Sequence, residues 1–219
     1  MRILIRPRQT TPANRLSLSP SMLTVRHRPM RVLDFDIENR PLSYLGSDFT
    51  TAEVTAIAWA WDHDPGNVVV RLLGEDDLPT ILEDFLEDFA LADMVTGHYI
   101  TGHDLPMLNG ALMECRMAPL PNTMVQDTKT HLIRSKGLSL SQESLGAMFR
   151  LEHQKVQMNQ SKWRAANRLT PDGLAEVRKR VTGDVQQHIL LRRELLACGY
   201  LGAPKHWKSG AAAIEAYTP

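Results

Sequence analysis

The stretch that decides the fold is Arg31-Val-Leu-Asp-Phe-Asp-Ile-Glu38. The part from Val32 to Ile37 is rich in apolar residues, which is typical of a buried central strand. Because side chains of a strand alternate between faces, Asp36 and Glu38 project from the same face. Asp34 shares that face, but Asp36 and Glu38 lie at the carboxyl end of the strand, where the sites of α/β proteins gather. Burying two acids in an apolar strand is costly without a cation, so the stretch indicates a metal site.

Two more acidic residues follow in distinctive surroundings. Asp104 comes after Gly97-His-Tyr-Ile-Thr-Gly-His103, at the start of a predicted helix, where its alternative interpretation is an ordinary N-cap. Asp184 lies within a predicted helix beside Gly183, and its alternative is a solvated helix acid. Hard oxygen ligands suit Mg²⁺ or Mn²⁺ rather than zinc. Such clusters typically serve two-metal phosphoryl transfer on nucleic acid.

The order of the predicted elements indicates the fold class. Strands at 53–61 and 68–73 follow the first strand and form a three-stranded antiparallel meander with it. The later elements alternate: a helix from Pro79, a strand at 94–96, a helix at 105–116, a strand at 124–127, and helices at 141–149 and 171–198. We therefore predict an α/β protein with an RNase H-like mixed sheet, the meander plus parallel strands, flanked by helices. We expect a basic, flexible arm over 1–30, the domain over 31–201 and a tail over 202–219.

The formal net charge of zero conceals three blocks of opposite sign. Residues 1–33 carry a net charge of +7, residues 34–127 a net charge of −15 and residues 128–219 a net charge of +8. An acidic block can hold cations and a basic block can neutralise phosphates. Part of the acidic excess comes from a predicted surface helix around Glu83–Asp88. The blocks are consistent with a metal-dependent protein that binds nucleic acid.

Other bulk features bound the setting. No apolar run approaches the roughly 18 residues that a membrane span needs, so we expect no membrane partner. The two cysteines, Cys115 and Cys198, form no C-x-x-C pair, which argues against a zinc site or a disulfide framework. We expect a cytoplasmic protein of a bacterium or of a phage-infected cell. An organellar transit peptide is the alternative interpretation of the Arg-rich start.

Over about residues 30–200, these motifs resemble the DEDD superfamily of 3′–5′ exonucleases, which includes the proofreading domains of DNA polymerases. Asp36-x-Glu38 is similar to the first motif of that family, Gly97–Pro106 to its second and Gly183-Asp184-Val185 to its third. Within the second motif, Tyr99 stands where the family usually has Asn. Asp127-Thr-Lys129 resembles part of the segment between the second and third motifs. The resemblance implies a phosphodiesterase that removes nucleotides from the 3′ end of a single strand; we favour DNA over RNA as the substrate, and the sequence leaves both open. A polymerase partner is left open.

The resemblance also implies roles for individual residues. Asp36, Glu38 and Asp184 would hold one Mg²⁺ or Mn²⁺, and Asp36 with Asp104 would support a second. The third motif normally has a Tyr four residues, or a His five residues, before its Asp to orient the attacking water. Here those positions are Arg180 and Lys179, and arginine stays protonated. The substitutes that the sequence offers for this role are His188, one turn after Asp184 on the same helical face, and His103 and His98 in the second motif.

A basic segment with one aromatic residue is the candidate nucleic-acid surface. Cations around an indole suit a single strand, because base stacking contributes about 1–3 kcal/mol for any sequence. The alternative is a basic surface loop whose indole belongs to the core. The candidate contacts are Lys155, Lys162, Trp163, Arg164, Arg168 and Arg180.

Two other functions compete with an active exonuclease. The absent Tyr or His favours a catalytically weak DEDD-like domain that binds nucleic acid or a polymerase. Four retained carboxylates favour the active enzyme, since a pure binding module gains nothing from clustering them. A third hypothesis, another RNase H-like nuclease such as a resolvase, fits the fold but not the segment from Gly97 to Pro106.

Overall fold

The computed structural model describes residues 28–42, 52–136, 141–153 and 156–209. In chain order, the elements are β1 Val32–Pro41, β2 Ala52–Trp61, β3 Val69–Leu72, α1 Leu78–Leu91, β4 Met94–Gly97, α2 Asp104–Glu114, β5 Thr123–Asp127, α3 Thr128–Lys136, α4 Gln142–Phe149, α5 Gln160–Asn167, α6 Pro171–Ala197 and β6 Lys205–Trp207. Each predicted strand and helix is present. The structure adds α3, α5 and β6, which the sequence analysis did not predict.

One six-stranded mixed sheet organises the fold, with strand order β3-β2-β1-β4-β5-β6. β1 pairs antiparallel with β2 and parallel with β4, and β5 continues the parallel part. β6 closes the edge antiparallel to β5. β1 therefore has a neighbour on each side, as its richness in apolar residues between Val32 and Ile37 predicted. The predicted RNase H-like mixed sheet, with an antiparallel meander and parallel strands, is confirmed.

β1 continues past the apolar-rich part that predicted it. It reaches Pro41, and its register with β2 shifts between Glu38 and Asn39. An ion pair of 2.5 Å between Arg40 and Glu53 links the two strands beyond the shift. Pairing with β2 thus extends the strand through polar residues that hydrophobic patterning cannot detect.

The two faces of the sheet carry different layers. Phe35, on one face of β1, packs on Phe85 of α1 with ring centroids 5.2 Å apart. On the other face, α6 covers β1 and β2. The residues of β2 beneath α6 are small and fully buried, namely Ala56, Ala58 and Ala60. Small side chains let the helix approach closely, and this brings Asp184 of α6 towards β1.

The predicted boundaries of the domain need correction at its carboxyl end. We expected a tail from residue 202, but β6 lies within it and belongs to the sheet. A three-residue strand is too short to show periodicity, and its pairing with β5 defines it. Most of the predicted arm, residues 1–27, lies outside the described residues. At its end, Arg28 forms an ion pair of 2.5 Å with Asp93.

None of the helices in the described ranges combines the length and the apolar character that crossing a membrane requires.

Candidate metal centre

Three carboxylates from two elements converge at the carboxyl half of β1. One oxygen from each of Asp36, Glu38 and Asp184 lies within 4.8 Å of the others. The alternation of β1 places Asp36 and Glu38 on the face that α6 covers, and Asp184 projects from the buried side of α6. We call these three residues the acidic triad. Three oxygen donors this close together can bind one divalent cation of the Mg²⁺ or Mn²⁺ type.

Asp104 lines the same cleft, which has a volume of about 260 Å³, but it does not belong to the acidic triad. Its Oδ1 accepts a hydrogen bond of 3.2 Å from the backbone N–H of Ile37, between Asp36 and Glu38. Its side chain is 4% exposed, so it is fixed against β1. The N-cap interpretation of Asp104 is wrong, because the N-cap residue of α2 is His103. Asp104 instead joins α2 to the strand that carries the acidic triad.

A glycine allows this approach of α2 to β1. A Cβ atom on Gly97, the last residue of β4, would lie 2.8 Å from the carbonyl oxygen of Phe35 and 2.3 Å from Ile100. Any other residue would therefore push the following loop away from β1. The loop over residues 98–103 turns directly after Gly97 and delivers Asp104 to Ile37.

His103 and His98 line the cleft with the acids. Nδ1 of His103 lies 3.4 Å from Oδ2 of Asp104. Hydrogen bonding to that carboxylate raises the pKa of His103 above its usual value, and partial burial acts in the opposite direction. Nδ1 of His98 lies 2.9 Å from the hydroxyl of Thr128. Both rings are thus positioned by neighbours at the edge of the site.

His188 has a different neighbourhood from the one that its spacing predicted. Its ring is 2% exposed, with Nδ1 lying 2.6 Å from Asp34 and Nε2 lying 3.0 Å from Thr128. Burial raises the pKa of the Asp34 carboxyl, and the nearby His188 lowers it to a smaller extent. A buried polar chain therefore runs from Asp34 through His188 and Thr128 to His98. His188 is not among the residues that line the cleft, because α6 directs its ring to Asp34 of β1 and to Thr128.

Arg180, where the resembled family has a Tyr, contacts the acidic triad directly. Its Nε donates a hydrogen bond to Glu38, and the same atom lies 3.8 Å from Asp184 Oδ2. Burial by itself would lower the pKa of the guanidinium, but the charges of Glu38 and Asp184 outweigh it and raise the pKa. Arg180 is therefore a permanent cation within this site.

The predicted nucleic-acid contacts divide into two groups. Lys162 is paired with Glu176 at 2.7 Å, and Trp163 packs partly against the core beneath α6 while its ring faces Arg180 at 5.1 Å. Arg164 and Arg168 are exposed on α5 and at its carboxyl end. The remaining candidate, Lys155, lies outside the described residues.

Neither Lys129 nor Tyr99 is among the predicted site residues, yet both line the cleft. The ammonium of Lys129 lies 4.2 Å from the centre of the Tyr99 ring. Tyr99 adopts a left-handed backbone conformation, with φ of 78°. The departure of Tyr99 from the Asn of the resembled motif was the one available signal. Together the two side chains place a cation and an aromatic ring at the rim of the site.

Asp127 anchors the loop that carries these residues. Its buried carboxylate accepts hydrogen bonds of 3.0 Å from the backbone N–H groups of Tyr99 and Thr101, and 3.1 Å from that of Thr130. The hydroxyl of Thr101 donates a fourth, at 2.5 Å. One side chain at the end of β5 therefore fixes the loop between β4 and α2.

We expect Asp127→Asn to lower the free energy of unfolding by about 2–3 kcal/mol, because a hydrogen bond to a charged group contributes about 1.5–3 kcal/mol and the amide nitrogen would face donors. Urea denaturation measures the change. Asp64→Asn, at an exposed turn between β2 and β3, is the matched control and should stay within about 0.5 kcal/mol of the parent. Equal losses in both variants would contradict the anchoring role.

Of three comparisons with known proteins, the one with solved structures gives matches. No protein-family model and no curated protein matches the sequence. Among solved structures, the chain is similar to the family B DNA polymerase from the hyperthermophilic archaeon Pyrobaculum calidifontis, with 17% identity and a TM-score of 0.62. The match covers 77% of this chain and 25% of the polymerase chain. The similarity shows that this chain shares its fold with a quarter of a DNA polymerase.

Proposed function

We propose that this protein is a metal-dependent 3′–5′ exonuclease that hydrolyses phosphodiester bonds at the 3′ end of single-stranded nucleic acid, DNA rather than RNA. The observation that carries the proposal is the convergence of Asp36, Glu38 and Asp184, at a cleft that Asp36, Glu38 and Asp104 line. This is the arrangement that the resemblance to DEDD exonucleases implies. The shared fold with part of a DNA polymerase is consistent with it.

The donor set fits the metal that such an enzyme needs. The acidic triad offers carboxylate oxygens only, a chemistry that Mg²⁺ and Mn²⁺ prefer and zinc does not. Asp36, Glu38 and Asp184 would hold one ion, and Asp36 with Asp104 would support a second. Bound ions of this kind lower the pKa of a water molecule and offset charge on the departing 3′ oxygen.

Other side chains of the cleft supply position and charge. His98, which Thr128 orients, and His103, which Asp104 orients, remain the candidates for holding the attacking water, whereas His188 does not line the cleft. Lys129 at the rim can neutralise a phosphate, since its ammonium is held over the Tyr99 ring. Within the described part of the predicted nucleic-acid segment, Arg164 and Arg168 add two exposed cations.

A second function, a DEDD-like domain that binds nucleic acid or a polymerase without efficient hydrolysis, is favoured by one observation. Arg180 lies four residues before Asp184 and forms an ion pair with Glu38. A guanidinium cannot accept the proton of a water molecule, so the usual water-orienting group is absent from α6. We rank this function second because a binding module does not need three converging carboxylates.

Labelled oligonucleotides test the proposal directly. We expect 5′-labelled single-stranded DNA to give a ladder of shortened products with Mg²⁺ or Mn²⁺, and 3′-labelled DNA to release its labelled nucleotide at once. EDTA and the Asp36→Ala substitution should each abolish both products. A parallel assay with single-stranded RNA compares the two substrates. His98→Ala should lower the rate by about 10²–10⁴-fold if its ring orients the water.

The outcomes separate the two functions. Binding without shortening in either metal would favour the second function over the first. Products that shorten from the 5′ end, or internal cuts, would contradict the proposed polarity. Retained hydrolysis in purified Asp36→Ala protein would contradict the site itself.

A further inference from the structure

The guanidinium of Arg180 contacts two of the three carboxylates of the acidic triad. Nε of Arg180 donates to Glu38 and lies 3.8 Å from Asp184 Oδ2. Both carboxylates belong to the set that would bind a divalent ion. Part of the negative charge that would attract the ion is therefore already balanced by the protein.

The guanidinium of Arg180 is also held from outside the acidic triad. Its central carbon lies 5.1 Å from the ring centre of Trp163, and its Nη1 donates a hydrogen bond of 3.1 Å to the carbonyl oxygen of Val156. The side chain is 14% exposed. Arg178, two residues earlier on the same helix, is 43% exposed and pairs with Glu75 at the surface. Arg180 is thus built into the site, unlike its neighbour.

A metal ion and this guanidinium cannot share Glu38 without cost. One oxygen of the Glu38 carboxylate already accepts from Arg180, and two cations about 4 Å apart repel each other strongly in a partly buried site. The two arrangements are therefore alternatives. Trp163 and Val156 remain as partners for the guanidinium when it leaves Glu38.

We infer that Arg180 is a built-in counter-cation that competes with the divalent metal for Glu38 and Asp184, so that metal binding requires the guanidinium to leave Glu38. The inference rests on the proposed function, because it takes the acidic triad to be a metal site. It assigns Arg180 a regulatory role: the residue sets the metal concentration at which the site becomes loaded. It also gives a physical purpose to a residue that cannot orient water.

Calorimetric titration of the full chain with Mn²⁺ alone, without nucleic acid, tests the inference. We expect Arg180→Gln to bind Mn²⁺ about tenfold more tightly than the parent, which is about 1.4 kcal/mol. Arg180→Lys keeps the charge and should bind as weakly as the parent. Arg178→Gln is the matched control, since its partner Glu75 lies outside the acidic triad, and it should leave the affinity unchanged.

Thermal unfolding gives a second measurement on the same proteins. Without metal, Arg180→Gln should melt at a lower temperature than the parent, because Glu38 and Asp184 then repel each other with less compensation. Added Mn²⁺ should raise its melting temperature more than that of the parent. A merely structural arginine would lower the melting temperature without changing the response to metal.

The outcomes separate a failure of this inference from a failure of the proposed function. Equal Mn²⁺ affinity in the parent and Arg180→Gln, with binding lost in Asp184→Asn, would overturn the inference and leave the proposed function standing. Absence of Mn²⁺ binding in every variant would overturn both. Should Arg180→Gln not fold, Arg180→Met removes the same charge while its side chain still reaches the Trp163 ring, and it should tighten Mn²⁺ binding to a similar extent; an unchanged affinity would overturn the inference.

Discussion

Asp184→Asn is expected to abolish metal-dependent shortening of single-stranded DNA, by about 10³-fold or more in rate. The substitution keeps the shape of a side chain that is 2% exposed, but it removes one of the three carboxylates of the acidic triad. Metal ions contribute several kcal/mol to the stabilisation of such a transition state. Each 1.36 kcal/mol corresponds to tenfold in rate, so the loss of one ligand has a large effect.

The variant should remain folded, and this separates chemistry from stability. Asp184 also lies 3.8 Å from Arg180, but Arg180 keeps Glu38 and the Val156 carbonyl as partners. We therefore expect a cooperative urea transition close to that of the parent, together with loss of Mn²⁺ binding in calorimetry. Both measurements are made on the same preparation as the nuclease assay.

Asp172→Asn is the matched control for this experiment. It is the same substitution in the same helix, at an exposed position in the first turn of α6. It should leave the rate and the Mn²⁺ affinity unchanged. Comparable rates in Asp184→Asn and Asp172→Asn would remove Asp184 from the site, whatever the stability of the two proteins.

Local patterns predicted the parts of this molecule that depend on local geometry. The alternation of β1 placed Asp36 and Glu38 on one face, and the apolar residues of β1 indicated a central strand; the structure has both features. A helix pattern does not tell which β-strand the helix covers, so it could not place Asp184 beside β1. Asp184 was predicted instead from the resemblance and from the neighbouring Gly183. The close approach of α6 depends on small residues of β2, more than 100 positions earlier in the chain.

Pairings between distant residues were not predictable. Arg180 meets Glu38 across 142 residues of sequence, and His188 meets Asp34 across 154. Neither pair leaves a periodic trace, since each partner is a single polar residue in an otherwise ordinary element. Spacing along α6 placed His188 one turn after Asp184, but spacing alone could not show that its ring contacts Asp34 of β1 instead of lining the cleft.

His188→Leu is expected to lower the free energy of unfolding by about 2–3 kcal/mol, the cost of leaving a buried polar group without its hydrogen-bond partner. The ring is 2% exposed and bridges Asp34 and Thr128, at 2.6 Å and 3.0 Å respectively. Leucine fills much of the space but leaves the buried carboxyl of Asp34 without its main partner. Urea denaturation measures the loss, and His206→Leu on the exposed part of β6 is the control.

The double variant Asp34→Ala/His188→Leu distinguishes a lost pair from a lost shape. If the cost of His188→Leu comes from leaving the Asp34 carboxyl buried alone, removing that carboxyl as well should recover part of the stability. Strict additivity of the two single substitutions would show instead that the residues contribute independently, through packing. That result would contradict the coupling that the 2.6 Å contact predicts.

The same variants test where His188 acts. Because the His188 ring does not line the cleft, His188→Leu should retain metal-dependent hydrolysis at temperatures where the variant is folded. Its rate should fall only to the extent that the ring of His98 moves. The link between them is Thr128, whose hydroxyl lies 3.0 Å from His188 and 2.9 Å from His98. A loss of hydrolysis as complete as that of Asp184→Asn, in protein shown to be folded, would mean that His188 takes part in the reaction. A modest loss would mean that the buried chain supports the fold and orients His98, while the acids and the metal carry the reaction.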